Sequence, residues 1–160
     1  MMDAVPLRTE GWLANWRRRL ADYPDIPQKR IIAANISVWG DAHAPDVRWT
    51  LCDREDYLSL TERLMWDVYN ILRVLFALNR QWEPDWQWLR HWCQDLDNIP
   101  DRLADRVNAI FSGPDARVRV AQCQRLILDT LVLLPPSAAV ARAQVSIEKS
   151  LRAHVAEPTR

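Results

Sequence analysis

Glycine is nearly missing from this chain: only Gly11, Gly40 and Gly113 occur in 160 residues. Phosphate-cradling loops need glycines where backbone N–H groups approach the ligand or where φ is positive. Three isolated glycines therefore exclude a Walker-type or dinucleotide-binding loop. Lysine is also scarce, with Lys29 and Lys149 the two examples, so arginine carries the positive charge and suits bidentate carboxylate or phosphate contacts. Neither sign is in excess, because 21 basic residues balance 21 acidic ones. That removes a general attraction to nucleic acid or to an anionic membrane. Cys52, Cys93 and Cys123 lie far apart, without CxxC or histidine-partner spacing. They read as small core residues in a reducing, cytoplasmic setting. No apolar signal segment opens the chain and no apolar run reaches about 18 residues, so neither secretion nor a membrane span is expected.

Catalytic patterns are missing too. There is no G-x-S-x-G and no H-E-x-x-H, and His43, His91 and His154 are widely separated. No arginine precedes a histidine at the R-x(4–6)-H spacing of helical-bundle ribonucleases. Asp95-x-Asp97 has the spacing of a two-magnesium site, but no Gly-Ser turn precedes it and WLRHWCQ reads as helix, so a solvated helix end is the expectation. No catalytic residue and no metal ligand is assigned.

What the chain has in quantity is helical periodicity. From Asp53 to Trp82, apolar residues recur at Leu60, Leu64, Val68, Ile71, Leu72, Leu75, Phe76, Leu78 and Trp82, at i, i+3/i+4, i+7 spacing. This predicts one central helix over about 54–82, on the order of 40 Å long. Asp53 is expected to cap it, with Glu55 and Asp56 adding negative charge at the positive end of its dipole. Shorter helices are predicted from Trp12 to Leu20, Pro27 to Trp39, Trp86 to Leu96, Pro100 to Phe111, Asp115 to Leu134 and Ser137 to His154, with residues 41–52 as a connecting loop. The fold class is all-α, a bundle of about six or seven helices around the long one. Residues 1–8 form a flexible lead-in, 9–136 the bundle, and 137–160 a C-terminal helix with a frayed tail.

Nine tryptophans are unusual for this length. Most are expected to fill the core with the N–H paired at its edge, but Trp82, Trp86 and Trp88 cluster about a turn where side chains reach solvent. Leu75-Phe76-Ala77-Leu78-Asn79-Arg80, then an aromatic-and-proline turn and Trp88-Leu89, resembles the C-terminal helical domain of an uncharacterised group of bacterial nucleotidyltransferases of the polymerase-β superfamily. Trp12-Leu13, Tyr23-Pro24, Arg30-Ile31-Ile32 and Ile99-Pro100 with Leu103 are similar to other elements of that domain, so the likeness spans roughly residues 10–112. This chain departs from the pattern at Gln87, where the family tends to carry lysine.

The resemblance implies a helical lobe that packs beside a catalytic α/β lobe and closes over the acceptor, as in kanamycin-type relatives. The Gly-Ser turn and paired aspartates of that lobe are not in this chain, so it implies an accessory substrate-recognition domain, not catalytic by itself. Magnesium and a nucleoside triphosphate would belong to the catalytic lobe, supplied in cis or in trans. Asn79 and Arg80 are then the first candidates for orienting an acceptor, Trp82 and Trp86 offer a stacking wall, and Asp53 and Glu55 would meet a cationic or hydroxyl-bearing small molecule. The alternative is a helical module that docks a protein partner or forms a homodimer and has no substrate pocket. A concave site shared by Trp82, Arg80 and Asp53 favours the first reading, and a flat apolar patch favours the second.

Overall fold

The computed structural model describes residues 23–41, 44–84 and 89–155 and the positions 14, 15, 18, 20 and 21. No strand occurs among the described residues, and from residue 23 onward they form seven α-helices: α1 Asp25–Trp39, α2 Ala44–Asp53, α3 Tyr57–Leu78, α4 Leu89–Trp92, α5 Leu103–Ser112, α6 Ala116–Val132 and α7 Ala138–His154. A 3₁₀ turn, Cys93–Asp95, continues α4. The predicted all-α bundle is the observed fold, and none of these helices is long and apolar enough to cross a membrane.

The post of the bundle is α3, whose 22 residues span roughly 33 Å. Leu60, Leu64, Ile71, Val74 and Leu75 along it are fully buried. It packs on α1, α2, α5 and α6, while α7 closes the bundle against α1, α2 and α6. Ile36, Trp49, Leu103, Ile110, Leu126, Leu131 and Ile147 fill the remaining core. All three cysteines are buried and free, as small core residues should be.

The post is shorter than the predicted 54–82 at both ends. At its start Glu55 is left-handed, at φ 55°. Glu55 N–H bonds Cys52 O at 3.0 Å and Asp56 N–H bonds Leu51 O at 3.0 Å, which closes α2 with a Schellman-type turn. Asp56 then caps α3 by accepting from Ser59 N; the cap is not Asp53, which is the last residue of α2. At the far end Arg80 is left-handed, at φ 56°. There Arg80 N–H bonds Ala77 O and Gln81 N–H bonds Phe76 O, so residues 79–82 leave the helix.

No glycine takes these left-handed positions. A left-handed residue with a Cβ carries strain of roughly 1–2 kcal/mol, partly offset by the entropy a glycine would lose on folding. Glu55→Gly is therefore expected to raise the unfolding free energy by about 0.5–1 kcal/mol. Urea titration of the two proteins checks it, and a lower midpoint for the variant contradicts it.

The largest departure from sequence expectation is α2, which occupies the predicted loop 41–52. Its buried residues are Pro45, Arg48, Trp49 and Cys52, at i, i+3, i+4, i+7. A charged residue in that stripe hides the helix from a hydrophobicity reading. Arg48 is tolerated there because a carboxylate from α3 meets it inside.

Smaller shifts follow the same packing. In α1 the buried residues are Ile36 and Trp39, whereas Val38 is exposed. The helix predicted from Pro100 begins at Leu103, because Arg102 before it is left-handed at φ 53°. Phe111 and Val118 reach solvent. Asp115 and Ser137 do cap α6 and α7, accepting from Val118 N at 3.0 Å and Val140 N at 3.2 Å. Of the first predicted helix, Trp12, Leu13 and Trp16 lie outside the described residues, and its described positions are helical.

Candidate functional site

The residues singled out from sequence fall at the two ends of α3, roughly 33 Å apart along the post. Asp53 and Glu55 precede it, while Asn79, Arg80 and Trp82 follow it. They do not form one concave site. Trp86 lies outside the described residues, as do Gln87, Trp88 and His43.

Four of these side chains, Asn79, Arg80, Trp82 and Asp53, brace the bundle. Asn79 acts as a backbone mimic: its Nδ2 donates to Leu75 O at 2.8 Å and to Asn98 O at 3.0 Å, and its Oδ1 accepts from Asn98 N at 2.8 Å. Arg80 pairs with Asp25 at the start of α1. The Trp82 indole N–H donates to Leu20 O at 2.8 Å, and its ring lies 4.7 Å from that of Tyr23. Asp53 pairs with Arg117 of α6 at 2.5 Å. Both carboxylates of Asp95-x-Asp97 are exposed, as expected of a solvated end. Among the described residues no three His, Cys, Asp or Glu side chains gather where they could hold a metal ion.

The interior holds a polar seam that sequence reading missed. Arg48 Nε and a terminal guanidinium nitrogen donate to the two oxygens of Asp67 at 2.7 and 2.5 Å, a two-pronged pair with both partners buried. A further Arg48 nitrogen donates to Ala44 O. Burial pushes the Asp67 carboxyl above its ordinary pKa, with the charge and hydrogen bonds of Arg48 pulling the other way. Burial works to lower the Arg48 pKa, but Asp67 outweighs it and holds the guanidinium more firmly protonated. Cys123 Sγ lies 4.0 Å from the same carboxylate. Burial and that charge push its thiol well above the ordinary range, which suits an inert core residue and not a nucleophile. Around the pair, Gln124 Nε2 donates to Pro45 O and Ser150 Oγ, and the Trp49 indole N–H donates to Ser150 Oγ. The seam thus ties α2, α3, α6 and α7 together.

One surface feature among the described residues that packing leaves unexplained is on the post itself. Opposite its buried stripe, α3 turns Leu58, Met65 and Trp66 to solvent, at 85%, 42% and 51% exposure. With Thr61, Glu62, Tyr69 and Arg73 they line a shallow groove of about 470 Å³. Arg73 bridges to Glu83 at 3.2 Å at the edge of this face. Apolar and aromatic residues at the centre with charge around them is the anatomy of a docking surface. The sequence carried a signal for it, since so much of the circumference of this helix is apolar, but not which side would be left without a neighbour.

No curated protein and no solved structure matches the chain. One family model does, described as a domain of unknown function (DUF4037), over residues 4–89, which is more than half of the chain. The match takes in α1, α2 and α3, and with them both the buried Arg48–Asp67 pair and the exposed face of the post. The chain belongs to the DUF4037 family.

Proposed function

We propose that this chain is an accessory helical domain of a nucleotidyltransferase, not catalytic by itself, that docks the catalytic lobe through the exposed face of α3. The separation of Asp53 from Arg80 and Trp82, together with the apolar patch, favours docking over an acceptor pocket within this chain. The observation that carries the reading is the pairing of two faces on one helix. One builds the core of the bundle, and the other leaves Leu58, Met65 and Trp66 in water beside a groove. Isolated apolar residues on a surface need no explanation, but a contiguous aromatic-containing patch on the most central helix does. The nature of the partner comes from the resemblance of residues 10–112 to the helical lobe of such enzymes. Arg80 and Trp82 keep part of their surface exposed at the far end of the post, where an acceptor molecule held between the lobes would meet them.

The test has two arms. Mixed with nucleoside triphosphate, magnesium and a panel of acceptors, the chain alone is expected to give no transfer, and turnover rejects the reading. The second arm expresses the chain with the nucleotidyltransferase polypeptide encoded beside it, recognised by a Gly-Ser turn followed by D-x-D. Leu58→Glu and Trp66→Glu should leave folding within about 0.5 kcal/mol of the parent, because both residues are exposed. Each should weaken association by at least about thirtyfold, as truncation of a central interface anchor does. Unchanged association sinks the docking surface. A homodimer of the chain alone that these substitutions dissociate favours the interaction-module alternative instead.

A further inference from the structure

The polar seam borders a small cavity of about 10 Å³, walled by Trp39, Ala44, Pro45, Arg48, Asp67, Gln124, Ile127 and Ile147. Five helices contribute to its wall: α1, α2, α3, α6 and α7. Two of the lining side chains carry buried polar atoms without a hydrogen-bond partner in the protein, Trp39 Nε1 and Gln124 Oε1. Their residues are each 2% exposed. A third lining group, the Asp67 carboxylate, accepts two hydrogen bonds from Arg48 and has capacity for about four in all. The Trp39 indole N–H also acts on that carboxylate as a donor that lowers its pKa, although the contact does not meet the geometry of a full hydrogen bond.

We infer that this cavity is a binding site for one structural water molecule, held by Trp39 Nε1, Gln124 Oε1 and Asp67. The donor and acceptor inventory selects the occupant. It must accept one hydrogen bond, from the indole N–H, and donate two, to the amide oxygen and the carboxylate. Ammonium has no lone pair for the indole, chloride has no proton for the oxygens, and a metal ion would face the N–H. Water does all three. The volume agrees, since about 10–15 Å³ holds a single molecule, and buried waters typically make about three hydrogen bonds. Such a water also completes the surroundings of the ion pair. A buried pair is sustained only when its remaining lone pairs and protons are satisfied.

A high-resolution crystal structure of the full chain tests this. The expected result is a single peak about 2.7–3.2 Å from Trp39 Nε1, Gln124 Oε1 and an Asp67 oxygen. In solution, the Trp39 indole proton should show a cross-peak to a long-lived water. That signal should disappear in Gln124→Leu, where the indole proton remains to report. No peak in the crystal, or an indole proton bonded directly to Asp67 with no water cross-peak, overturns the inference. So does a cross-peak of unchanged intensity in a folded Gln124→Leu protein.

Discussion

Asp67→Ala is expected to lower the unfolding free energy by about 3–5 kcal/mol, because it leaves the Arg48 guanidinium buried without its carboxylate. Both partners lie inside the bundle, with side chains 9% and 2% exposed, so water cannot replace what is lost. A loss of that size is a large part of the roughly 5–15 kcal/mol that holds a typical domain together. The double replacement Arg48→Met/Asp67→Leu removes the charges as a pair and should recover most of the loss, within about 1 kcal/mol of the parent or better. The cycle distinguishes a stranded charge from a merely damaged core. Denaturant unfolding of the parent, the single variant and the double variant supplies the comparison. A double variant no more stable than Asp67→Ala would mean that the pair itself, and not the stranded arginine, dominates.

Trp49→Ala should cost a similar amount, about 3–5 kcal/mol. Trp49 is 1% exposed. It joins α2 to the last helix in two ways: its N–H bonds Ser150 Oγ at 3.1 Å, and its ring stacks on His154 at 5.1 Å and 16°. The Arg117 guanidinium lies over the same indole, 5.2 Å from the ring centroid, and also donates to His154 O. Truncation therefore opens a cavity and releases the C-terminal end of α7 together. Trp49→Phe keeps most of the volume and loses the N–H bond, for which about 1–2 kcal/mol is expected. Thermal and denaturant unfolding with a probe on α7 measures both. A Trp49→Ala protein within about 1 kcal/mol of the parent would contradict the burial that places α2 in the core.

Legibility in the sequence varied by element. The core stripe of the post was readable because Leu60, Leu64, Val68, Ile71 and Leu75 repeat at helical spacing and all are buried. The starts of α6 and α7 were readable at Asp115 and Ser137, because a helix start is settled by residues within about three positions. In contrast, α2 was not, since the side chain that completes its buried stripe is Arg48, and its justification is Asp67, 19 positions away on another helix. Gln124 gave no warning either, being one polar residue in α6 until Pro45 and Ser150 are brought to it. Asn79, Arg80 and Trp82 were picked out for a ligand; the structure shows each with a partner inside the chain, at Asn98, Asp25 and Leu20.

The sequence by itself therefore determined the class of the fold, most helix positions and the identity of the post. Those follow from periodicity and capping, which are settled by neighbours within about four residues. Only the tertiary structure decided that Arg48 belongs inside, that a small cavity lies beside Asp67, and that the Leu58–Met65–Trp66 side of α3 faces solvent. Each depends on which helix lies against which, and that arrangement is a property of the whole chain, because burial and charge pairing are energies between segments distant in sequence.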